Sequence, residues 1–256
     1  MTQSNKLTRR GVLGVVGAAS AVPLLSGRLS AQHAEHPKAD PSKAHGSPTV
    51  AWDTTLFFFN DVEARFVEAA VDRLIPPDPQ WAGAASAGVL YYIDRQLASA
   101  YGSGARMYLA GPWEPDAPAQ QGYQLRHTPA ELYRVAIAEI GDVCQNRFGR
   151  GFGELSANQQ DDVLKGLETG EVALPSVPSP TFFETLLANT IEGFFADPAY
   201  GGNRDMVGWR MVGFPGAYAQ YLAFVDVHGA QYTRRPIGIS DQAERQRHLA
   251  GHGKAE

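Results

Sequence analysis

The chain has one cysteine, Cys144, among its 256 residues. That excludes an intramolecular disulfide, a Cys-x-x-Cys-His haem attachment and a four-cysteine iron–sulfur or zinc site within this chain. Histidine is scattered as well. Of seven, His33, His36 and His45 fall in a polar stretch near the front, His228, His248 and His252 near the polar end, and His127 stands alone between them. The most apolar run, Gly11 to Leu25, is about 15 residues long, short of the roughly 20 that a helix needs to span hydrocarbon. Basic residues are outnumbered, 22 against 27 acids, for a net charge of -5. Nucleic acid is therefore not expected as a partner, because phosphate contacts need clustered Lys and Arg.

The sequence signatures of catalysis are also missing. There is no Gly-x-Gly-x-x-Gly after a strand, no Walker loop, no His-Glu-x-x-His and no Gly-x-Ser-x-Gly elbow. The glycine-rich Phe148 to Gly153 follows a helical pattern, so it reads as a helix terminator. No catalytic, cofactor-binding or metal-ligating residue is assigned. A site assembled from distant residues leaves no such signature, so an independent exported enzyme stays open as an alternative, as does a periplasmic small-ligand-binding protein.

What is present begins with Arg9 and Arg10, ahead of the mild Ala- and Gly-rich run. A twin arginine in that position is the form of a Tat export signal, an address and not a piece of fold. Residues 1–31 read as that signal, with cleavage after Ala31; an ordinary Sec signal or an uncleaved anchor is the alternative. Without these residues the chain keeps 18 bases against 27 acids, a net charge of -9. Residues 32–52 are too polar to offset chain entropy by burial and read as a flexible linker. Residues 53–228 form the folded domain, and 229–256 a polar C-terminal arm or tail.

The domain reads as all-α, a compact unit of about five to seven helices joined by long loops rich in aromatics, Gly and Pro. Four stretches place a capping side chain three residues before Glu or Gln: Asn60 to Glu63, Thr128 to Glu131, Ser156 to Gln159 and Thr181 to Glu184. At that spacing two side chains satisfy each other's backbone amides at a helix start. Apolar residues then follow a helical period. Val62, Phe66, Ala70 and Leu74 mark one helix, which Pro76 and Pro77 stop. A second runs from about Gly88 to Ala100. The most apolar carries Phe182, Phe183, Leu186, Leu187, Ile191 and Phe194, and is expected at the centre of the core, with Leu187 worth roughly 2–5 kcal/mol against Ala. Glu63 and Glu68 are expected on a solvated face. Asn203 is expected to cap a short helix from about Arg204, ended by Gly213 and Pro215.

Two loops are dense in aromatics: residues 101–127, with Trp113 and Tyr123, and the stretch after Phe194, with Tyr200, Arg204, Met206, Trp209 and Phe214. They either fold back to plug the helical core or form a contact surface, since Trp, Tyr, Arg and Met are enriched at such sites. These seven residues are the candidate partner interface.

Taken together, EAAVDRLIPPDPQWAGAASAGVLYYIDRQLASAYG, YLAGPW, QGYQ, TPAELYRVAI and FFETLLANTIEGFFADPAYGGNRDMVGWRMVGFPG resemble the gluconate 2-dehydrogenase subunit 3 family, over about residues 55–220. The block from Asn189 to Gly216 is the most specific. The resemblance implies a non-catalytic small, or gamma, subunit beside a large FAD-containing dehydrogenase that oxidises a sugar, sugar acid or polyol. A multihaem c-type cytochrome is a further partner it implies, with FAD and haem held by the partner subunits. The Tat route passes folded proteins, so a small subunit bearing the signal would engage the Tat translocase and escort the loaded flavoprotein. The assembled complex is then expected in the periplasm, associated with the inner membrane.

Overall fold

The computed structural model describes residues 52–114, 117–217, 226–229 and 235–241. The expected signal with Arg9, Arg10 and Ala31, nearly all of the expected linker and most of the C-terminal arm lie outside the described residues. Among the described residues six α-helices carry the domain: α1 (Asp61–Leu74), α2 (Val89–Leu97), α3 (Pro129–Phe148), α4 (Ala157–Thr169), α5 (Ser179–Phe195) and α6 (Val207–Val212). Short 3-10 turns punctuate the connections, and among the described residues the one β contact is an isolated parallel bridge between Gly216 and Ile237. The all-α expectation holds. No helix among the described residues is long and apolar enough to cross a membrane.

Three of the four capping boxes form as their spacing requires. Asn60 Oδ1 accepts from the amides of Val62 and Glu63, and Glu63 Oε2 accepts from the amide of Asn60 at 3.0 Å. Thr128 with Glu131 opens α3, and Ser156 with Gln159 opens α4. Glu63 is not a solvated-face residue: it is buried, closing this cap and pairing with Arg134 of α3. The fourth box does not form. Pro178 adopts φ -63° and Pro180 falls within the first turn, so α5 starts at Ser179 and Thr181 is already helical, its amide donating to the Pro178 carbonyl at 3.1 Å. Proline presets that backbone angle and lacks an amide needing a cap.

Helix α5 runs through the middle and packs against α1, α2, α3, α4 and α6. Its Phe182, Leu186 and Phe194 are fully buried; Phe182 meets Tyr133 of α3 edge-to-face at 5.4 Å, a favoured arrangement of aromatic quadrupoles. Two polar ties fix helices around it. Arg73 of α1 makes a forked pair with Asp161 of α4, at 2.7 and 2.9 Å. The wholly buried Asp94 of α2 accepts three backbone amides, from Phe57 at 2.7 Å, Phe58 at 3.0 Å and Phe59 at 2.8 Å, drawing the segment ahead of α1 onto α2. Three accepted amides are what make a carboxyl group tolerable at that depth.

Leu187 is partly buried, at the edge of the core, and Leu186 takes the central position expected for it. With 3.6 residues per turn, Leu186 falls on the buried stripe of Phe182, Asn189 and Gly193, and Leu187 falls beside it. Leu186→Ala is expected to cost about 2–5 kcal/mol in urea unfolding, and Leu187→Ala clearly less; equal losses would contradict the packing.

Candidate functional site: the face formed by α2, the end of α5 and the returning loop

Beyond α5 the chain turns back on itself so closely that side chains are excluded. A Cβ on Gly202 would run into the carbonyl of Gly193, and one on Gly208 into the carbonyl of Phe194. Glycine is the residue that permits such backbone approach. Between these contacts Asn203, Asp205 and Met206 adopt left-handed backbone, with φ of 50°, 55° and 54°. Each such residue costs roughly 1–3 kcal/mol and persists where its surroundings over-determine it. Asn203 supplies much of that determination. It is fully buried, Nδ2 donates to Ala196 O and Oδ1 accepts from Gly208 N, both at 2.8 Å. It therefore ties α5 to α6 and does not cap a helix from Arg204; the continuous helix begins at Val207 and ends at Gly213, φ 71°.

The loop lays Arg204 onto α2. Its backbone amide donates to Ala87 O at 3.0 Å, and its guanidinium rests 4.7 Å from the ring centre of Tyr91 and 5.5 Å from that of Trp52. Nε and Nη2 are buried and make no hydrogen bond. The aromatic faces supply the compensation that a carboxylate ordinarily would.

The other side of the same face is built around Glu192. Tyr92 of α2 lies flat on Gly193, where a Cβ would meet its ring at 2.8 Å, and its hydroxyl stands 3.5 Å from Glu192 Oε2. Tyr101 donates to Asn189 Oδ1 at 3.2 Å, and Asn189 Nδ2 donates to the buried Tyr133 hydroxyl at 3.0 Å. Crowding by protein raises the Glu192 carboxyl above its ordinary value, the Tyr92 hydroxyl only partly opposing this. Burial, and then the Glu192 charge with the Tyr101 and Tyr200 phenols, pushes Tyr92 up to about 12.

The seven residues singled out from sequence divide between two roles. Tyr200, Phe214 and Trp113 are exposed, at 52%, 46% and 45%. Trp209 is buried at 6%, its indole N–H donating to Phe195 O at 2.7 Å and its ring meeting Phe214 edge-on. Arg204 and Met206 are partly buried. Tyr123 turns its hydroxyl onto His127 O at 2.7 Å, and burial pushes its phenol upward. The structure gathers Tyr200, Arg204, Met206, Trp209 and Phe214 in one loop-and-helix unit. Trp113 instead lines an open groove of about 560 Å³ beside Pro178, with Leu125, Arg126, His127 and Val177. Tyr91, Tyr92, Tyr101 and Glu192 were not singled out from sequence; the one signal for Glu192 was its helical spacing of three from Asn189. Cys144 is buried, and loss of water pushes its thiol up to about 11, as expected for an inert core cysteine. Among the described residues no group of three His, Cys, Asp or Glu side chains gathers to hold a metal.

The model of the gluconate 2-dehydrogenase subunit 3 family matches residues 61–216, from the start of α1 to the glycine that ends this face. The chain belongs to that family. No curated protein and no solved structure matches it. Membership in the subunit 3 family implies a small subunit of a dehydrogenase complex, with partner subunits.

Two outcomes are expected of this family member. Trp209→Ala removes a buried ring and its hydrogen bond, and thermal or urea unfolding should register a loss of about 3–5 kcal/mol. Glu192 has a folded pKa above 4.5, its ordinary value, so the folded form binds protons more readily and stability falls as pH rises through that window. Glu192→Gln should therefore melt higher than wild type at pH 7, with the difference vanishing below about pH 4.5; a lower melting temperature at pH 7 would contradict the assignment.

Proposed function

We propose that this chain is the non-catalytic small subunit of a periplasmic FAD-dependent dehydrogenase complex acting on a sugar, sugar acid or polyol, and that it carries the Tat address for the complex. The observation that carries the reading is the family match across residues 61–216, which takes in the whole face built by α2, α5 and the returning loop. Exposed Tyr200 and Phe214 stand on that face beside the strained 203–206 turn, and exposed aromatics on a rigidly held turn suit a protein interface. The large flavoprotein is the partner assigned to it. FAD, and haem where a cytochrome subunit is present, belong to the partners. Arg9 and Arg10 engage the Tat translocase, so the small subunit escorts the folded, FAD-loaded large subunit outward and then stabilises it at the inner membrane.

The 560 Å³ groove favours a second reading, a small-ligand-binding protein. Its wall combines Trp113 and apolar Leu125, Leu174 and Val177 with His127, whose buried Nδ1 makes no hydrogen bond, the mixture of apolar lining and few polar groups found in ligand sites. A lone monomer that melts higher with a sugar would select it.

The test is purification of the tagged chain from its native host under mild detergent. A yellow or haem-red preparation with a large companion is expected; a colourless monomer overturns the subunit reading. Replacing both Arg9 and Arg10 by Lys is expected to strand the flavoprotein in the cytoplasm, measured as dehydrogenase activity in cell fractions. Undiminished periplasmic activity would remove the escort role.

A further inference from the structure

Arg204 has its charge compensated and its hydrogen bonds left unmade. Tyr91 and Trp52 stand by the guanidinium, with ring centres 4.7 and 5.5 Å from its central carbon. A ring face attracts a cation but supplies no oxygen to an N–H, and Nε and Nη2 are shut off from water without an acceptor. The described ion pairs engage Arg73, Arg95 and Arg134, not Arg204. Its own segment does not serve it either: Asp197 accepts from the amides of Ala199 and Ile239, and Asp205 enters no described ion pair. The arginine is nevertheless fixed in place. Its amide donates to Ala87 O at 3.0 Å, and a Cβ on Gly88 would stand 2.7 Å from Nε. The residues on either side, Asn203 and Asp205, are both left-handed, with φ of 50° and 55°, and backbone strain of that kind gathers where a ligand is held.

Nε and Nη2 make one edge of the guanidinium, the fork that gives two parallel hydrogen bonds to a carboxylate. Arg73 shows the same edge in use: its Nε and Nη2 take the two oxygens of Asp161 at 2.7 and 2.9 Å. Of the two rings beside Arg204, Tyr91 belongs to α2, whereas Trp52 is only partly buried and is followed by exposed Asp53, Thr54 and Thr55. Trp52 is therefore the cover and α2 the floor. Charge points to the same occupant. The chain is acidic overall, at -5, yet neither base of the returning segment is in a described ion pair, Arg210 lying 5.8 Å from the ring centre of Trp81; an acidic surface is the complement. We propose that Arg204 is the receptor for a carboxylate side chain of the large subunit, which takes the Nε–Nη2 edge as the Trp52 ring gives way. This rests on the subunit reading above and adds the chemistry by which the partner is recognised. It also accounts for a strained turn that holds two buried donors unpaired: the carboxylate satisfies them when the complex forms.

The test uses the tagged chain in its native host, as wild type, Arg204→Lys and Trp52→Ala, with bound flavin measured per subunit after washing at fixed salt and a thermal melt of each variant. Lysine keeps the charge beside the rings but not the fork, so Arg204→Lys is expected to lose its flavoprotein about 10-fold faster or more. Trp52→Ala uncovers the edge and is expected to hold flavin at least as well as wild type. Equal loss in the two variants makes the stacked pair a structural unit only and overturns the receptor. A benzophenone amino acid in place of the exposed Tyr200, activated by light in the otherwise wild-type complex, is expected to capture a large-subunit peptide; changing one of its acids to the amide should speed flavin loss as Arg204→Lys does. Wild-type chain without flavin overturns the subunit reading and the receptor with it. Flavin held equally by wild type and Arg204→Lys overturns the receptor alone, as does a captured peptide with no Asp or Glu whose replacement matters.

Discussion

The contact on which the functional face depends is backbone against backbone. Gly202 and Gly208 press onto the last turns of α5 so tightly that any side chain there would collide with a carbonyl. Because the approach is that close, Asn203 can reach both Ala196 and Gly208 with one side-chain amide, and Trp209 can reach the Phe195 carbonyl. Those bonds hold three residues in left-handed backbone, and the turn so held sets Arg204 against Tyr91 on one side and Tyr200 toward Tyr92 on the other. Remove the close approach and the arrangement of the face has no cause.

Two ionisable side chains on or near α2 meet loss of water in two ways. Asp94 is wholly buried and is satisfied by three backbone amides, a structural use that joins the start of the fold to its centre. Arg204 lacks a carboxylate and is held by the faces of Tyr91 and Trp52. Glu192 stays exposed beside the Tyr92 hydroxyl, and partial crowding by protein raises its carboxyl above the ordinary value.

The apolar stripes and capping spacings in the sequence determined the helical class and three of the helix starts, because a cap and its partner lie three residues apart and answer to local backbone geometry alone. The family, too, was legible from linear blocks. The Thr181 cap failed because α5 begins at Ser179, with Pro180 in its first turn and its N-cap three residues earlier at Pro178, a local rule outweighed by a stronger local rule. Leu187 yielded the core centre to Leu186 because the face that packing turns inward runs through Phe182 and Leu186.

Which aromatic is buried and which is offered to a partner was decided by tertiary structure alone. Trp209 and Phe214 look alike in sequence, yet one ring is fixed by a carbonyl fourteen residues away and the other remains 46% exposed. Glu192 stays exposed but meets Tyr92, a hundred residues earlier, while the neighbouring Asn189 is held in the core by Tyr101 and Tyr133. Composition and period report what each segment can bury against an averaged neighbour. Which side chains actually meet depends on which neighbours arrive, and long-range packing of α2 against α5 chooses them.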